Sequence, residues 1–173
     1  MDISSIFKIN KIDHYAVIVK DIENSQNFHI NFLGFSFVKS YSLTTSEYSN
    51  TEDTLSVVLE KNSASSKEIC VLNKPLNSLS FLNKYIERYG EGIHHIAYEV
   101  DNIEQEFKTG LSHNIAFTSE NIILDPINKL KQVFIDRKYT GYFIELIERS
   151  NSVEQNGDLF SQTSIKELIL STS

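Results

Sequence analysis

The sequence is poor in several features that mark particular classes of protein. Its 173 residues include one cysteine, Cys70, so no disulfide can form within the chain. No apolar run approaches the roughly 20 residues that a membrane-spanning helix requires. The first residues lack the basic stretch and following apolar stretch of a secretory signal. Together these absences predict a cytoplasmic protein that does not enter a membrane.

Clustered positive charge is also missing. The formal net charge is −7, and the 16 Lys and Arg residues are scattered along the chain. Because proteins neutralise nucleic-acid phosphates with clustered positive charge, this distribution argues against a nucleic-acid partner. Hydrophobic residues make up 40% of the chain, and a chain of this length can bury a core without cross-links. We therefore expect one compact domain, or two small modules that share a core.

What the sequence does contain is an internal repeat. The segment 12–19, Ile-Asp-His-Tyr-Ala-Val-Ile-Val, recurs at 93–100 as Ile-His-His-Ile-Ala-Tyr-Glu-Val. His14 and His95 occupy the same place in the two copies, 81 residues apart. This period is too long for a solenoid, and it indicates two copies of one supersecondary module.

Each module is predicted to have the element order β-α-β-β-β. Module 1, about residues 10–74, has a strand at about 11–19, a helix at about 22–33 and strands at about 36–43, 54–60 and 67–73. Module 2, about residues 91–149, has a strand at about 93–100, a helix at about 102–112 and strands at about 115–119, 131–137 and 142–148. A connector at about 75–90 carries one more helix, which Ser78 or Ser80 can cap. The fold class is therefore α+β over residues 1–149.

The segment 150–173 differs from both modules. Residues 150–157 are polar, and Ser164 and Glu167 have the spacing of a capping box ahead of three apolar residues. The pattern predicts a polar linker followed by either a short C-terminal helix or a disordered end.

Two histidines are candidate metal ligands. Side chains alternate along a strand, so His14 shares a face with Ala16, and His95 shares the equivalent face with Ala97. If the modules pair by a pseudo-two-fold axis, both histidines converge on one cleft. His94 points to the opposite face and is not expected to be a ligand.

Two carboxylates complete the candidate site. Glu145 lies in an apolar strand, where a buried charge is costly unless it is paired or bound to a metal. Glu68 begins the matching strand of module 1 and is either a fourth ligand or an edge residue. Cys70 shares its face and is expected to be a small buried apolar side chain. Such mixed imidazole and carboxylate sites suit one divalent ion, which can be Zn, Co, Ni, Mn or Fe(II).

These residues resemble the vicinal-oxygen-chelate superfamily of glyoxalases, bleomycin resistance proteins and dioxygenases. Residues 12–16, Phe28 and the Leu-Gly-Phe at 33–35 are similar to its opening signature, and Ile-Glu-Leu at 144–146 is similar to its ligand-bearing last strand. The segment 90–100 is particularly similar to methylmalonyl-CoA epimerases. The resemblance covers about residues 10–149 and implies paired βαβββ modules in a cupped mixed sheet around one metal ion.

The epimerase resemblance implies a chemistry. His14, His95 and Glu145 would hold the metal together with a Gln or Glu on the fourth strand. A small carbonyl or acyl substrate would then react through a metal-chelated enolate, with Glu145 or Glu68 moving a proton next to the carbonyl. Epimerases use a further acid on the third strand, where this chain has Ser56 or its neighbours. Relatives often dimerise, so the resemblance also implies a homodimer.

Other functions are compatible with the same residues. The segment 142–149 and the predicted C-terminal helix resemble the end of 4-hydroxyphenylpyruvate dioxygenase, which holds Fe(II) with two His and one Glu but has four modules. A lyase similar to glyoxalase I would use the same ligands, and some superfamily members only bind or sequester a small molecule. We rank a metal-dependent isomerase first, and a 2-oxo acid dioxygenase, a lyase or a binding protein after it.

Overall fold

The computed structural model describes residues 5–46, 51–125 and 129–149. Within these ranges the α-helices and β-strands are β1 (Lys11–Ile18), α1 (Ile22–Asn31), β2 (Ser36–Leu43), β3 (Thr54–Asn62), β4 (Lys67–Pro75), α2 (Phe81–Tyr89), β5 (Gly92–Glu99), α3 (Ile103–Ser112), β6 (Ile123–Asp125), β7 (Leu130–Ile135) and β8 (Phe143–Arg149), and a short 3-10 helix, Arg137–Tyr139, lies between β7 and β8. The segment predicted as a linker and C-terminal helix lies outside the described residues. None of the helices in the described ranges is long and apolar enough to cross a membrane.

The strands form one mixed sheet in the order β2-β3-β4-β1-β5-β8-β7-β6. β1 pairs with β4 in parallel, whereas β3 pairs with both β2 and β4, and β7 with both β6 and β8, in antiparallel orientation. The prediction of an α+β fold is confirmed. Strands β1, β5 and β8, which carry His14, His95 and Glu145, are consecutive in the sheet order.

The described chain divides into two compact units. The first unit is His14–Ile96, and the second combines residues 5–13 with residues 97–149. In the first unit, α1 begins where the Asp21 side chain accepts a hydrogen bond from Asn24 N at 3.0 Å. The helix packs on one face of the sheet, over a core of Val19, Ile22, Phe35, Val57, Leu59, Cys70 and Leu72. This core lies on the face of β1 that bears Tyr15, not on the face that bears His14.

Helix α2 also belongs to the first unit. Ser80, not Ser78, caps it, because Ser80 Oγ accepts a hydrogen bond from Leu82 N at 3.3 Å. Gly90 ends the helix with a φ of +81°, a conformation that favours glycine, and its N–H donates to Ile86 O. The turn after Gly90 leads directly into β5, the strand that carries His94 and His95.

A buried aspartate closes the hairpin between β2 and β3. Asp53 accepts hydrogen bonds from Thr45 N and Ser46 N and from the hydroxyls of Thr45 and Thr54. Thr54 Oγ1 in turn lies 2.7 Å from Ser80 Oγ, the cap of α2. Sequence reasoning missed this group, which connects the hairpin to the start of α2.

In the second unit, α3 begins at two caps. Asn102 Oδ1 accepts from Gln105 N at 2.9 Å, and Glu148 Oε2 accepts from Ile103 N at 2.8 Å. Ile103 of the helix packs with Val100, Val133, Ile135 and Leu146 in a cluster that the partly buried Phe117 joins.

The strand predicted at 115–119 is wrong. Within that stretch only Phe117 forms a bridge, with Ile135, and the edge strand β6 lies instead at Ile123–Asp125. Phe117 packs against Phe107 of α3, with ring centroids 4.6 Å apart, and a Cβ added at Gly110 would lie 2.6 Å from its Cζ. The segment therefore keeps a single bridge to β7, with two backbone hydrogen bonds, while Phe117 packs beneath α3.

Candidate metal centre

Three of the four predicted ligands come together. His14, His95 and Glu145 each offer one ligand atom, and these atoms all lie within 4.8 Å of one another. His14 is 2% exposed and Glu145 is fully buried, whereas His95 is half-buried. The three side chains thus form a compact group of two nitrogens and one carboxylate.

The two imidazoles have the spacing of donors to one ion. His14 Nε2 and His95 Nε2 are 3.1 Å apart, and the ring planes are perpendicular. With metal–nitrogen bonds of about 2.1 Å, two donors are about 3.0 Å apart at a right angle and about 3.4 Å apart at the tetrahedral angle. The observed distance fits this range.

The charge states also suit a cation. Burial, together with the neighbouring His94 and His14, lowers the pKa of His95 well below its ordinary value of 6.5. His95 is therefore neutral at neutral pH, which is the form of imidazole that binds metals. Glu145 adds a carboxylate in a buried position, where a positive charge lowers the cost of burial. The donor set fits a divalent metal ion.

Strand β8, which carries Glu145, also carries the charged side chain of Arg149. Arg149 ends β8, and it donates two hydrogen bonds to Asp13. Burial opposes its charge, but the hydrogen bond to Asp13 and the charges of Asp13, Glu145 and Glu99 raise the pKa of Arg149. Arg149 therefore stays positive, with Asp13 as its direct partner.

Glu68 is not part of the group, and its assignment as a fourth ligand and proton-moving acid is wrong. Tyr15 pairs with Cys70 in the β1–β4 register, so Cys70 and Glu68 lie on the Tyr15 face of the sheet, opposite His14. The Glu68 side chain is exposed, at the end of β4 where it pairs with Lys61 of β3. The expectation that Cys70 is a buried apolar side chain agrees with its full burial in the core beneath α1.

The position equivalent to Glu145 in the first unit is Val71. Val19 N–H donates to Asn73 O and Val100 N–H donates to Ile147 O, both at 2.9 Å, which makes Asn73 and Ile147 equivalent. Val71 lies two residues before Asn73, and Glu145 lies two residues before Ile147, so Val71 is equivalent to Glu145. Val71 is buried and apolar, so the place where the family resemblance implies a Gln or Glu carries no donor.

Ser56 stands on the third strand, where the family resemblance implies a further acid. Ser56 is buried and its Oγ donates to Asn73 Oδ1 at 2.7 Å. Another acid of β3, Glu60, shares the face of Ser56 but forms a salt bridge with Lys67 at 2.8 Å, and the hydrogen bond from Lys67 lowers the pKa of Glu60.

In the second unit, the fully buried Gln132 of β7 shares the face of Glu145. Sequence reasoning missed this polar residue. The alternation of side chains along β7 could have predicted that Gln132 faces the same way as its apolar neighbours two residues away.

His94 lies outside the group of three. It is buried, its ring contacts Tyr85 of α2 at a centroid distance of 4.9 Å, and its Nδ1 lies 2.8 Å from His95 Nδ1.

The chain belongs to the Glyoxalase/Bleomycin resistance protein/Dioxygenase superfamily. The family model matches residues 13–124, which is more than half of the chain and includes His14 and His95. This match confirms the family resemblance seen in the sequence.

Individual relatives are distant. The uncharacterised protein YqjC of Bacillus subtilis (strain 168) is 25% identical over 141 residues, which cover 81% of this chain and 93% of YqjC. The structure of hypothetical protein BH1468 from Bacillus halodurans C-125 matches with a TM-score of 0.67 and 23% identity, covering 85% of this chain and 99% of that one. Methylmalonyl-CoA epimerase of Streptomyces coelicolor, in complex with 2-nitronate-propionyl-CoA, matches with a TM-score of 0.63 and 18% identity, covering 83% and 99%. At these identities the structural matches show the fold.

Proposed function

We propose that the chain is a divalent-metal-dependent enzyme that moves a proton at the carbon next to the carbonyl of a small acyl substrate, as an epimerase or isomerase does. The observation that carries the proposal is the convergence of His14, His95 and Glu145 within 4.8 Å. The substrate class is supported by a fold neighbour, a methylmalonyl-CoA epimerase in complex with methylmalonyl-CoA.

The three side chains have distinct roles in this proposal. His14 and His95 would hold the ion through Nε2, and Glu145 would hold it through its carboxylate. When bound, a divalent cation supplies Lewis acidity that polarises a carbonyl oxygen and acidifies the neighbouring C–H. With these three side chains as its protein ligands, the ion would be available to a substrate that offers oxygen donors.

Glu145 is the proposed proton carrier. A carboxylate has two oxygens, so one can serve the ion while the other accepts a proton from the substrate carbon. Neither Glu68, on the opposite face, nor Ser56, a hydroxyl hydrogen-bonded to Asn73, supplies a second base. With one carboxylate the proton returns to the same face of the substrate, so the step moves it between neighbouring atoms, as an isomerase does. Inversion at a single carbon, as in an epimerase, would need a second proton donor on the opposite face.

The test is solvent deuterium exchange. The protein is purified without added metal, its metal content is measured, and acyl-CoA esters are incubated with it in D₂O. We expect deuterium at the α-carbon with Co, Ni or Mn, independent of oxygen, and loss of exchange in Glu145→Gln. Glu68→Gln is the matched control and should exchange at the wild-type rate. Wild-type protein that binds no divalent metal, or that leaves the whole ester panel unlabelled, contradicts the proposal.

A second candidate is an Fe(II)-dependent oxygenase of 2-oxo acids. Two histidines and one carboxylate with open positions form the facial triad of non-haem iron oxygenases. Val71 is apolar and adds no fourth donor, so the group has the composition of that triad. Oxygen uptake with Fe(II) and coupled to a 2-oxo acid would reverse our ranking. Tight binding of a small molecule with neither exchange nor uptake would indicate a binding or resistance protein.

We also propose that the chain forms a homodimer. β2 and β6 are the edge strands of the described sheet, and β2 is long and bears the exposed apolar residues Phe37 and Val38. Exposed edges favour pairing with another chain. Light scattering at tens of micromolar protein should give the mass of two chains, and a single-chain mass would contradict the dimer.

A further inference from the structure

His94 precedes His95 on β5 and lies between His95 and helix α2. Its ring is buried and contacts Tyr85 of α2, with centroids 4.9 Å apart. Its Nδ1 lies 2.8 Å from His95 Nδ1, a hydrogen-bond distance. The side chain therefore connects α2 to the second ring nitrogen of a proposed metal ligand.

The protons on this pair follow from which nitrogen binds the metal. His95 Nε2 is the atom that approaches His14 Nε2, at 3.1 Å, so Nε2 is the ligand atom and carries no proton when it binds. A neutral imidazole then has its proton on Nδ1. The contact between two Nδ1 atoms needs one donor and one acceptor, so His95 donates and His94 accepts.

We propose that His94 is a positioning residue that accepts the Nδ1–H of His95, and so sets the tautomer and orientation of that ligand. The inference rests on the proposed metal centre. Partners of this kind keep a ligand ring aimed at the ion and raise its basicity, and their loss weakens metal binding about 10–100-fold. The sequence places the two histidines on opposite faces of the strand, yet their rings meet.

Two variants distinguish the hydrogen bond that His94 accepts from the packing of its ring against Tyr85. His94→Phe keeps a planar ring against Tyr85 but has no acceptor, whereas His94→Asn supplies an amide oxygen close to the position of Nδ1. We expect the Co(II) dissociation constant of His94→Phe to rise about 10–100-fold, with recovery toward the wild-type value in His94→Asn. His113→Phe, a change at an exposed histidine in the turn after α3, is the control and should bind Co(II) as the wild type does.

Two results of this titration overturn the inference. One is wild-type Co(II) affinity in a folded His94→Phe. The other is a folded His94→Asn that binds no better than His94→Phe. Wild-type protein that fails to bind Co(II) contradicts the metal centre itself, so the two failures are distinguishable.

A second measurement needs no variant. Long-range ¹H–¹⁵N correlation spectra of the zinc-loaded wild-type protein report which nitrogen of each imidazole is protonated. We expect the proton of His95 on Nδ1 and that of His94 on Nε2. A wild-type spectrum with the His95 proton on Nε2 overturns the inference even if every variant fails to fold.

Discussion

Asp13 and Arg149 form a bidentate ion pair between the strands that carry the proposed ligands His14 and Glu145. Arg149 Nε donates to Asp13 Oδ2 at 2.6 Å, and Arg149 Nη2 donates to Asp13 Oδ1 at 2.7 Å. Asp13 directly precedes His14 on β1, and Arg149 ends β8, four residues after Glu145. The Asp13 side chain is 7% exposed and that of Arg149 is 22% exposed, so the pair is largely shielded from water.

Breaking this pair on one side should destabilise the fold. We expect Asp13→Leu or Arg149→Met to lower the free energy of unfolding by about 2–4 kcal/mol, because each leaves a shielded charge without its partner. The double variant Asp13→Leu/Arg149→Met should lose less than the sum, since neither charge remains. Urea denaturation of the four proteins measures the coupling. Additive losses would show that the two side chains act independently.

Metal affinity should depend on Glu145 and not on the neighbouring acid of the same strand. Glu145→Gln should weaken zinc binding by more than the roughly 10–100-fold that loss of an outer partner produces, because the anionic ligand itself is lost. Glu148→Gln is the matched control: Glu148 caps α3 and binds Lys131, so its loss should leave zinc affinity unchanged. Isothermal titration of the metal-free proteins is the measurement. Equal affinities for the wild type and Glu145→Gln would exclude Glu145 as a ligand.

A donor at position 71 should complete a four-ligand site. Val71→Gln places an amide oxygen at the position equivalent to Glu145, and Val57→Gln places the same group in the core beneath α1. Both should destabilise the metal-free protein by about 1–3 kcal/mol, the cost of a buried polar group. Only Val71→Gln should then gain more thermal stability from zinc than the wild type does. The idea fails if zinc raises the melting temperature of Val71→Gln and Val57→Gln alike.

Cys70 should be chemically inert in the folded protein. Burial in the core raises the pKa of its thiol to about 12, so little thiolate forms at pH 8. A thiol reagent at pH 8 should label the native protein slowly and the urea-unfolded protein quickly, with Cys70→Ala as the unlabelled control. The folded state holds this proton more tightly than the unfolded state, whose thiol has the ordinary pKa of 9.0. Stability should therefore fall as the pH rises from about 9 toward 12. Rapid labelling of native protein would contradict the buried position.

Asp53 should be essential for the β2–β3 hairpin. Asp53→Ala leaves the buried Thr45 N and Ser46 N without their acceptor, so we expect a loss of about 2–4 kcal/mol in the free energy of unfolding. Asp53→Asn, which keeps one acceptor oxygen, should lose less. Asp101→Ala removes an exposed aspartate bonded to Asn10 and should change stability by no more than about 1 kcal/mol. A loss for Asp53→Ala as small as that for Asp101→Ala would be the contrary result.

Much of the candidate site was predictable because it depends on local periodicity. His14 and His95 repeat at equal places in two similar strands, and alternation along a strand places both on the same kind of face. Glu145 stood out as a charge within an apolar strand. These features belong to single strands, and the α+β fold follows from the order of elements in the same local patterns.

Pairing between distant segments decided the rest. The sequence by itself determined which residues can be ligands. The β1–β4 register decided that Val71 matches Glu145 and that Glu68 faces away from His14. A shift of one residue in that register turns every side chain of a strand to the other face, and the register belongs to a pairing between strands that are remote in the chain. Likewise, Phe117 packs against Phe107 of α3 and its segment keeps only one bridge to β7, and the His94 ring contacts both His95 and Tyr85 of α2. The strand register and these side-chain contacts depend on residues that are remote in the chain, so only the tertiary structure determines them.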